Sequence, residues 1–249
     1  MRNLCLENIG TVDVLLPVTA NDDLDLLTKC IKSVLSQSYS QFKLYILISG
    51  KIDEQLESFT DFIKSDASVA NVFSVDDIIS AASARNRLIR ESESNIKAFI
   101  DSDDYWLPNH LEEYFRITEN FHGSLFYHTS YFFGNFSKHC LFEYDQHSLN
   151  EIMRGPVLMS SVIVRNLDVE FSEIPGEDFL YALRCIEKAN KTLYGTVPTV
   201  YYNTERHKKK SLIFKLWRVF LLKYEISGSI VKSCYLTGKF IFYRLMRPF

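Results

Sequence analysis

The sequence of 249 residues lacks the features that mark several large classes of protein. Its five cysteines lie far apart, without a CxxC pair or a histidine cluster, so neither a disulfide framework nor a zinc site is predicted. No window reaches the roughly 18 consecutive apolar residues of a membrane-spanning helix. The first residues also lack the basic and apolar regions of a signal peptide. We therefore expect reduced thiols and a cytoplasmic location.

The composition is that of a globular protein, because 47% of the residues are hydrophobic and 24% are charged. The charge is divided unevenly along the chain. Residues 206–249 contain 11 lysines and arginines and one acid, whereas residues 1–205 carry a net charge of −13. This division predicts a domain over residues 1–205 and a basic tail over residues 206–249.

The first half of the chain alternates short apolar runs with segments of helical periodicity. This order is typical of an α/β fold with a mostly parallel sheet and helices on both faces. Ligands of such sheets bind outside the carboxyl ends of the strands. The predicted strands are Val12–Pro17, Phe42–Ile48, Val69–Val75 and Ile96–Ile100, and the predicted helices are Leu24–Ser38, Asp53–Ile63 and Ala81–Glu91.

The pattern changes after Pro108, where aromatic residues become frequent. Residues 125–144 predict two or three antiparallel strands, because phenylalanine and tyrosine favour strands. Around them we expect helices over Asn109–Asn120 and Glu177–Ala189 and strands over Met159–Val164, Thr192–Thr196 and Thr199–Tyr202.

Three aspartates follow the strand predicted over Ile96–Ile100, namely Asp101, Asp103 and Asp104. Carboxylates at a strand end can hold Mg²⁺ or Mn²⁺ together with the phosphates of a substrate. The alternative is a solvated acidic turn in which Asp104 partly caps the following helix. Arg85, near the start of its predicted helix, suits an anion such as a diphosphate, or is a surface arginine.

Five segments occur in the order seen in glycosyltransferase family 2, the inverting nucleotide-sugar transferases with a GT-A (Rossmann-like) fold. The resemblance covers about residues 11 to 205. The segments are Pro17 after an apolar strand, IKSVLSQSY (Ile31–Tyr39), SARN (Ser83–Asn86), FIDSDDYWLP (Phe99–Pro108) and GEDF (Gly176–Phe179).

The resemblance implies a donor site for a nucleotide-sugar, with a UDP-sugar as the expected donor. Asp103 would bind the Mg²⁺ or Mn²⁺ ion, and Asp101 would lie nearer the ribose. Arg85 would lie near the nucleotide-sugar, and Pro17 and Ser102 are also assigned to the donor side.

The resemblance also implies the catalytic and acceptor residues. Asp178, with Glu177 beside it, would be the base that deprotonates the acceptor hydroxyl, although acids at a helix start can simply be caps. His207 is a candidate metal ligand or an exposed histidine of a basic run. Trp106 and Ser161 would face the acceptor, unless Trp106 is a core aromatic.

One position departs from the family pattern. Many relatives carry an aspartate in the loop after the second strand, and this chain has Ile48-Ser49-Gly50-Lys51 there. The altered loop motivates an alternative, a degenerate relative that binds a glycan or a partner transferase without catalysis. A nucleotidyltransferase is disfavoured because Pro17–Asp25 contains no glycine-rich basic loop. A glycosidase also uses paired carboxylates, but their place at a strand end better suits a diphosphate.

The basic tail combines lysine and arginine with large apolar residues, as in Lys208–Tyr224. This composition is typical of a helical, interfacial segment on an anionic membrane surface, or of a helix pair packed on the acidic domain. Nucleic acid is not an expected partner, because the cations are interleaved with aliphatic residues. We expect a peripheral enzyme at the inner face of a bacterial membrane. Its acceptor would be a glycan or a lipid-linked glycan of surface polysaccharide or lipopolysaccharide synthesis.

Overall fold

The computed structural model describes residues 10–133, 139–140, 158–174 and 176–203. The strands are β1 Val12–Thr19, β2 Phe42–Ser49, β3 Val69–Val75, β4 Ile96–Phe99, β5 Tyr105–Trp106, β6 Leu125–Phe133, β7 His139–Cys140, β8 Val162–Arg165 and β9 Lys191–Tyr202. The helices are α1 Leu24–Leu35, α2 Glu54–Ile63, α3 Ala81–Glu91, α4 His110–Thr118 and α5 Glu177–Lys188, with a 3-10 turn at Met159–Ser161.

The strands of the described residues form one mixed sheet in the order β3-β2-β1-β4-β8-β6-β9-β5, with β7 paired to β6. The first four strands are mutually parallel. Strand β8 runs antiparallel to both β4 and β6, which joins the parallel half to the aromatic half. The predicted α/β architecture with a mostly parallel sheet is confirmed.

Helices cover both faces of the parallel half because its strands are apolar on both sides. On one face the side chains of Leu16 and Ile46 pack with residues of α1, such as Ile31. On the other face Leu15 and Phe99 pack with residues of α3 and α5. The sheet is thus buried between two layers of helices, which leaves the ends of its strands as the place for a ligand site.

The aromatic half contains the antiparallel pair β6 and β7 within the stretch where two or three antiparallel strands are predicted. Strand β6 is antiparallel to β7 and β8, but it pairs parallel with β9 over most of its length. The two pieces predicted over residues 192–202 form the single strand β9. Its pairing with β6 changes register between Gly195, which is opposite Thr129, and Val200, which is opposite Tyr131. The strand predicted over Met159–Val164 begins as the 3-10 turn and becomes extended only at Val162.

Strand β1 continues past Pro17, where the sequence predicted its end. At odd-numbered positions the backbone N–H and C=O groups of β1 point toward β4, since Ile100 donates to the carbonyl of Leu15. At even-numbered positions these groups point toward β2, since Val12 donates to the carbonyl of Gln41. The missing N–H of Pro17 therefore points toward β4 at a level where β4 has already ended. No ladder hydrogen bond is lost, which is why a proline is tolerated there.

Within the described ranges, no helix is long and apolar enough to cross a bilayer. The predicted basic tail and His207 lie outside the described residues.

Candidate active site

The predicted aspartates lie at the carboxyl end of β4, beside the end of β1. Strand β1 has β2 and then β3 on one side and β4 on the other, so the strand order reverses at this point. Open α/β sheets bind ligands in the crevice at such a reversal. The sheet topology therefore provides the place where a ligand site is expected.

The loop from Asp101 to Trp106 is held by side chains and backbone from distant parts of the chain. The Oγ of Ser160 accepts from the N–H of Asp101 at 3.0 Å and donates to Oδ2 of Asp104 at 2.5 Å. Oδ1 of Asp104 accepts from the N–H of Asn203 at 2.9 Å. The indole of Trp106 donates to the carbonyl of Ser160 at 2.7 Å. These contacts give the loop one defined conformation.

Asp104 is a structural residue of this loop and not part of a solvated turn. Its side chain is 1% exposed, and its two oxygens receive the hydrogen bonds from Ser160 and Asn203. Burial raises the pKa of Asp104 well above its ordinary value, and the charge of Asp101 adds to this effect, while the two hydrogen bonds oppose it.

Arg85 connects the donor-side aspartate to the predicted base. One guanidinium nitrogen donates to Asp101 Oδ1 at 2.6 Å, and the other donates to Asp178 Oδ1 at 2.7 Å. Burial alone would lower the pKa of Arg85, but the charges of Asp101 and Asp178 outweigh it and raise the pKa, so the guanidinium stays charged. The structure thus brings together three predicted residues that are separated by up to 93 positions in the chain.

The rest of the SARN segment binds the chain that leads to the base. Asn86 exchanges two hydrogen bonds with the backbone of Phe171. Ser83 and the helix cap Ser80 both donate to the carboxylate of Glu173. The sequence predicted Arg85 as a contact of the nucleotide-sugar. In this structure the guanidinium contacts carboxylates, and its donor contact stays a prediction.

Two side chains that sequence reasoning missed lie in the electrostatic field of the aspartates. The pKa of Tyr202 is raised to about 12, first by burial and then by Asp104, Asp103, Asp101 and Asp178. Its hydroxyl therefore stays protonated at neutral pH. Tyr202 follows Tyr201 in a run of aromatic residues, and nothing in that run singled it out.

Asp22 is the second missed residue. Its carboxylate accepts from the hydroxyl of Ser102 at 2.5 Å and from the N–H and hydroxyl of Thr19. The contact joins the loop after β1 to the aspartate loop after β4. Ser102, predicted on the donor side, lies at this junction. Pro17 lies half-buried in β1, in register with Leu47.

The donor set fits a hard divalent cation such as Mg²⁺ or Mn²⁺. Asp101 and Asp103 lie in the loop after β4, and the carboxylate of Asp22 is joined to that loop through the hydroxyl of Ser102, which stands between them in the sequence. In the described part of the chain no three potential ligands form a complete metal site. A cation held by one or two carboxylates and the donor phosphates needs no such preformed set.

The loop after β2 does not replace the absent aspartate. Ser49 is buried, and its hydroxyl donates to the carbonyl of Val18 at 3.3 Å, so it faces the sheet. Gly50 has a positive φ of 102°, and a side chain there would press on Ala20 and Ile78 at 3.1 Å. The glycine is therefore required by the turn.

The remaining predicted residues take different places. Trp106 is 2% exposed, and Ser161 is buried with its hydroxyl bonded to the carbonyl of Leu158. Their burial favours packing roles, and the predicted acceptor contacts stay predictions. The carboxylate of Glu177, the first residue of α5, accepts from the N–H of the preceding Gly176 at 2.9 Å, and the helix has no side-chain cap.

Comparison with known proteins adds independent information. The profile of the family described as Glycosyl transferase family 2 matches residues 14–139. A protein of Haemophilus influenzae described as an uncharacterized glycosyltransferase is 24% identical over 238 residues, which cover 92% of this chain and 94% of that protein. A glycosyltransferase of Rickettsia bellii, also uncharacterized, is 31% identical over 120 residues, or 48% of this chain, and the match spans only 16% of that longer protein. The putative teichuronic acid biosynthesis glycosyltransferase TuaG of Bacillus subtilis is 28% identical over 89 residues, 36% of this chain and 35% of TuaG.

Solved structures share the fold. S. aureus TarS 1-349 in complex with UDP-GlcNAc has a TM-score of 0.68, with 15% identity over 94% of this chain and 72% of that chain. The mannosyltransferase PcManGT from Pyrobaculum calidifontis, in complex with GDP-Man and Mn²⁺, has a TM-score of 0.57, with 12% identity over 85% of this chain and 61% of that chain. At these identities the likeness concerns the fold alone.

Proposed function

The chain belongs to glycosyltransferase family 2, and from that premise we propose that it transfers a sugar from a nucleoside diphosphate donor to an acceptor hydroxyl. The observation that carries the proposal is the bridge from Asp101 through Arg85 to Asp178. It joins the carboxylate expected at the donor to the carboxylate expected at the acceptor, at the reversal point of the sheet. Fold relatives that bind UDP-GlcNAc or GDP-Man support a nucleotide-sugar as the donor.

The proposed reaction is a single displacement with inversion. The acceptor oxygen forms a bond to the anomeric carbon while the bond from that carbon to the diphosphate breaks, and the acceptor proton passes to Asp178. Asp178 is half-buried and held by Arg85, which restricts its carboxylate to one direction. Asp101 binds the other nitrogen of the guanidinium, on the side where the diphosphate would depart.

A Mg²⁺ or Mn²⁺ ion, held by Asp103 and the donor phosphates, would stabilise the negative charge of the leaving diphosphate as a Lewis acid. His207, also predicted as a ligand, lies outside the described residues.

We also propose that the acceptor is a glycan or a lipid-linked glycan of a cell-surface polymer. TuaG, the relative named for teichuronic acid biosynthesis, supports this class of pathway. The basic, apolar composition of residues 206–249 supports a reaction near an anionic membrane.

The first test is nucleotide release from a panel of UDP-, GDP-, CMP- and TDP-sugars with Mn²⁺. We expect release from one donor, lost with EDTA and in Asp103→Ala. Asp178→Asn should still bind that donor but transfer about 10²- to 10⁴-fold more slowly, the usual contribution of a general base. Asp61→Asn is the matched control, since that exposed aspartate pairs only with Lys64 on α2.

The competing candidate, a relative without catalysis, is favoured by the inward-facing Ser49 hydroxyl in place of a loop carboxylate. It predicts glycan binding with no release from any donor. Absence of both donor binding and release, with membrane extract supplied as acceptor, would refute the transferase proposal.

A further inference from the structure

Asn86 of the SARN segment is buried and binds the backbone of Phe171, which lies seven positions before the predicted base in the chain. Its side chain is 9% exposed, its amide group donates to the carbonyl of Phe171 at 2.9 Å, and its carbonyl accepts from the N–H of Phe171 at 2.7 Å. This two-point pairing imitates that of neighbouring β-strands and fixes both the position and the rotation of the Phe171 backbone. Both polar atoms of the Asn86 side chain are therefore engaged by the Phe171 backbone.

The Phe171 ring packs against two residues that lie next to the predicted base, namely Tyr181 and Arg85. It stacks on Tyr181 with centroids 3.8 Å apart and planes inclined by 2°. Tyr181 stands three residues after Asp178 on α5, so the two side chains lie on the same helix face one turn apart. The guanidinium carbon of Arg85 lies 5.2 Å from the centre of the same Phe171 ring.

Phe99 completes this aromatic group. It meets Phe171 and Tyr181 edge to face at 5.6 Å and 5.4 Å. Because Phe99 is the last residue of β4, immediately before Ile100 and Asp101, the ring cluster ties the base-bearing turn of α5 to the strand that carries the donor aspartates. The contact path therefore runs from Asn86 through Phe171 to both sides of the reaction centre.

We propose that Asn86 is a positioning residue for catalysis: through Phe171 it sets the position of Asp178 and Arg85 relative to the donor aspartates. The inference rests on the proposed function, because it assigns Asp178 the role of base. It differs from a donor-binding role, since Asn86 acts through buried backbone contacts and should affect the chemical step more than donor affinity. A misplacement of about 1 Å in such a site reduces the rate on the order of 10²-fold.

The test uses the full chain carrying Asn86→Ala. We expect kcat to fall on the order of 10²-fold, with the Kd for UDP and Mn²⁺, measured by calorimetry, within about threefold of the wild-type value. Hydrogen exchange should accelerate in residues 176–183 of the base-bearing turn. Asn71→Ala, at an exposed asparagine of β3, is the matched control and should change none of these quantities.

A second variant keeps the inference testable if Asn86→Ala folds poorly. Phe171→Leu preserves the backbone pairing with Asn86 and removes only the ring that supports Tyr181 and Arg85. It should show the same loss of kcat at unchanged donor affinity.

Different experimental results would contradict different parts of this inference. Wild-type kcat in either variant, alongside faster exchange in residues 176–183, would overturn the catalytic role. Unchanged exchange in Asn86→Ala would overturn the mechanical link itself. If the wild-type chain neither binds nor turns over a donor, the proposed function fails and the catalytic role of Asn86 with it. The exchange result would still decide whether Asn86 holds the base-bearing turn.

Discussion

Replacing Arg85 with methionine removes the charge from the centre of the site while keeping most of the volume of the side chain. Two hydrogen bonds are lost, at 2.6 Å to Asp101 and at 2.7 Å to Asp178. Hydrogen bonds to charged groups contribute roughly 1.5–3 kcal/mol each. Both carboxylates are 30% exposed and regain some hydration, so the loss should lie near the lower bound, about 3 kcal/mol.

Loss of the guanidinium also leaves Asp101 and Asp178 facing each other as like charges. Urea unfolding followed by circular dichroism measures the change in the free energy of unfolding. For a domain of this size a loss of about 3 kcal/mol lowers Tm by roughly 6–12 °C. Arg90→Met on the same helix is the control, because its ion pair with Glu170 is mostly exposed and should contribute less than about 1 kcal/mol.

A double-mutant cycle with Asp178→Asn tests whether the loss comes from the bridge. The cost of Arg85→Met should shrink by roughly 1–3 kcal/mol in the Asp178→Asn background, because the two residues are in direct contact. Additive costs, or an Arg85→Met variant as stable as Arg90→Met, would refute the view that the bridge stabilises the fold.

Three further predictions concern other parts of the chain. Burial lowers the pKa of His110 to about 3, so the unfolded chain binds a proton first as the pH falls below about 6.5. The stability advantage of the wild type over His110→Gln should therefore shrink by about 2 kcal/mol between pH 7 and pH 5, and a constant difference in urea unfolding would contradict a buried neutral ring. Gly195→Ala would place a methyl group against the hydroxyl of Tyr127, so it should lose about 1–3 kcal/mol in thermal unfolding. Gly10→Ala, with its nearest contact at an ordinary 3.5 Å, should cost much less, and equal losses would contradict the steric argument. Vesicles that contain anionic lipid should bind the full chain, and replacing Lys208–Lys210 with glutamine should weaken binding about 100-fold; equal binding to neutral vesicles would contradict an electrostatic contact.

Much of the parallel half could be predicted from the sequence, because its signals are local. Asp53 and Ser80 are polar residues that directly precede segments in which apolar residues recur at helical spacing, and each of them caps the helix that follows. Each apolar run between these helices became a strand, and the aspartates follow β4 as predicted. The caps and runs need no information from distant residues.

The contacts that define the site could not be predicted in this way. Asp104 pairs with the backbone of Asn203 across 99 positions, and Tyr202 reaches the aspartates only because β9 pairs with β5 and β6. The parallel pairing between β6 and β9 depends on the three-dimensional packing of strands that are distant in the sequence. No short turn joins the two strands, so no local sequence signal predicts their pairing. For the same reason the sequence did not predict the contact between Arg85 and Asp178, which lie 93 positions apart.

The fixing of the aspartate loop has a thermodynamic consequence for ligand binding. Asp101, Asp104 and Trp106 are anchored to Ser160, Asn203 and Ser33 by hydrogen bonds within the protein, which require no ligand. Ordering a free loop costs roughly 1–2 kcal/mol per residue, so a site that is already ordered binds without this entropic penalty. Calorimetry of nucleotide binding should then show a small heat-capacity change that matches the contact area alone, because little of the loop folds upon binding.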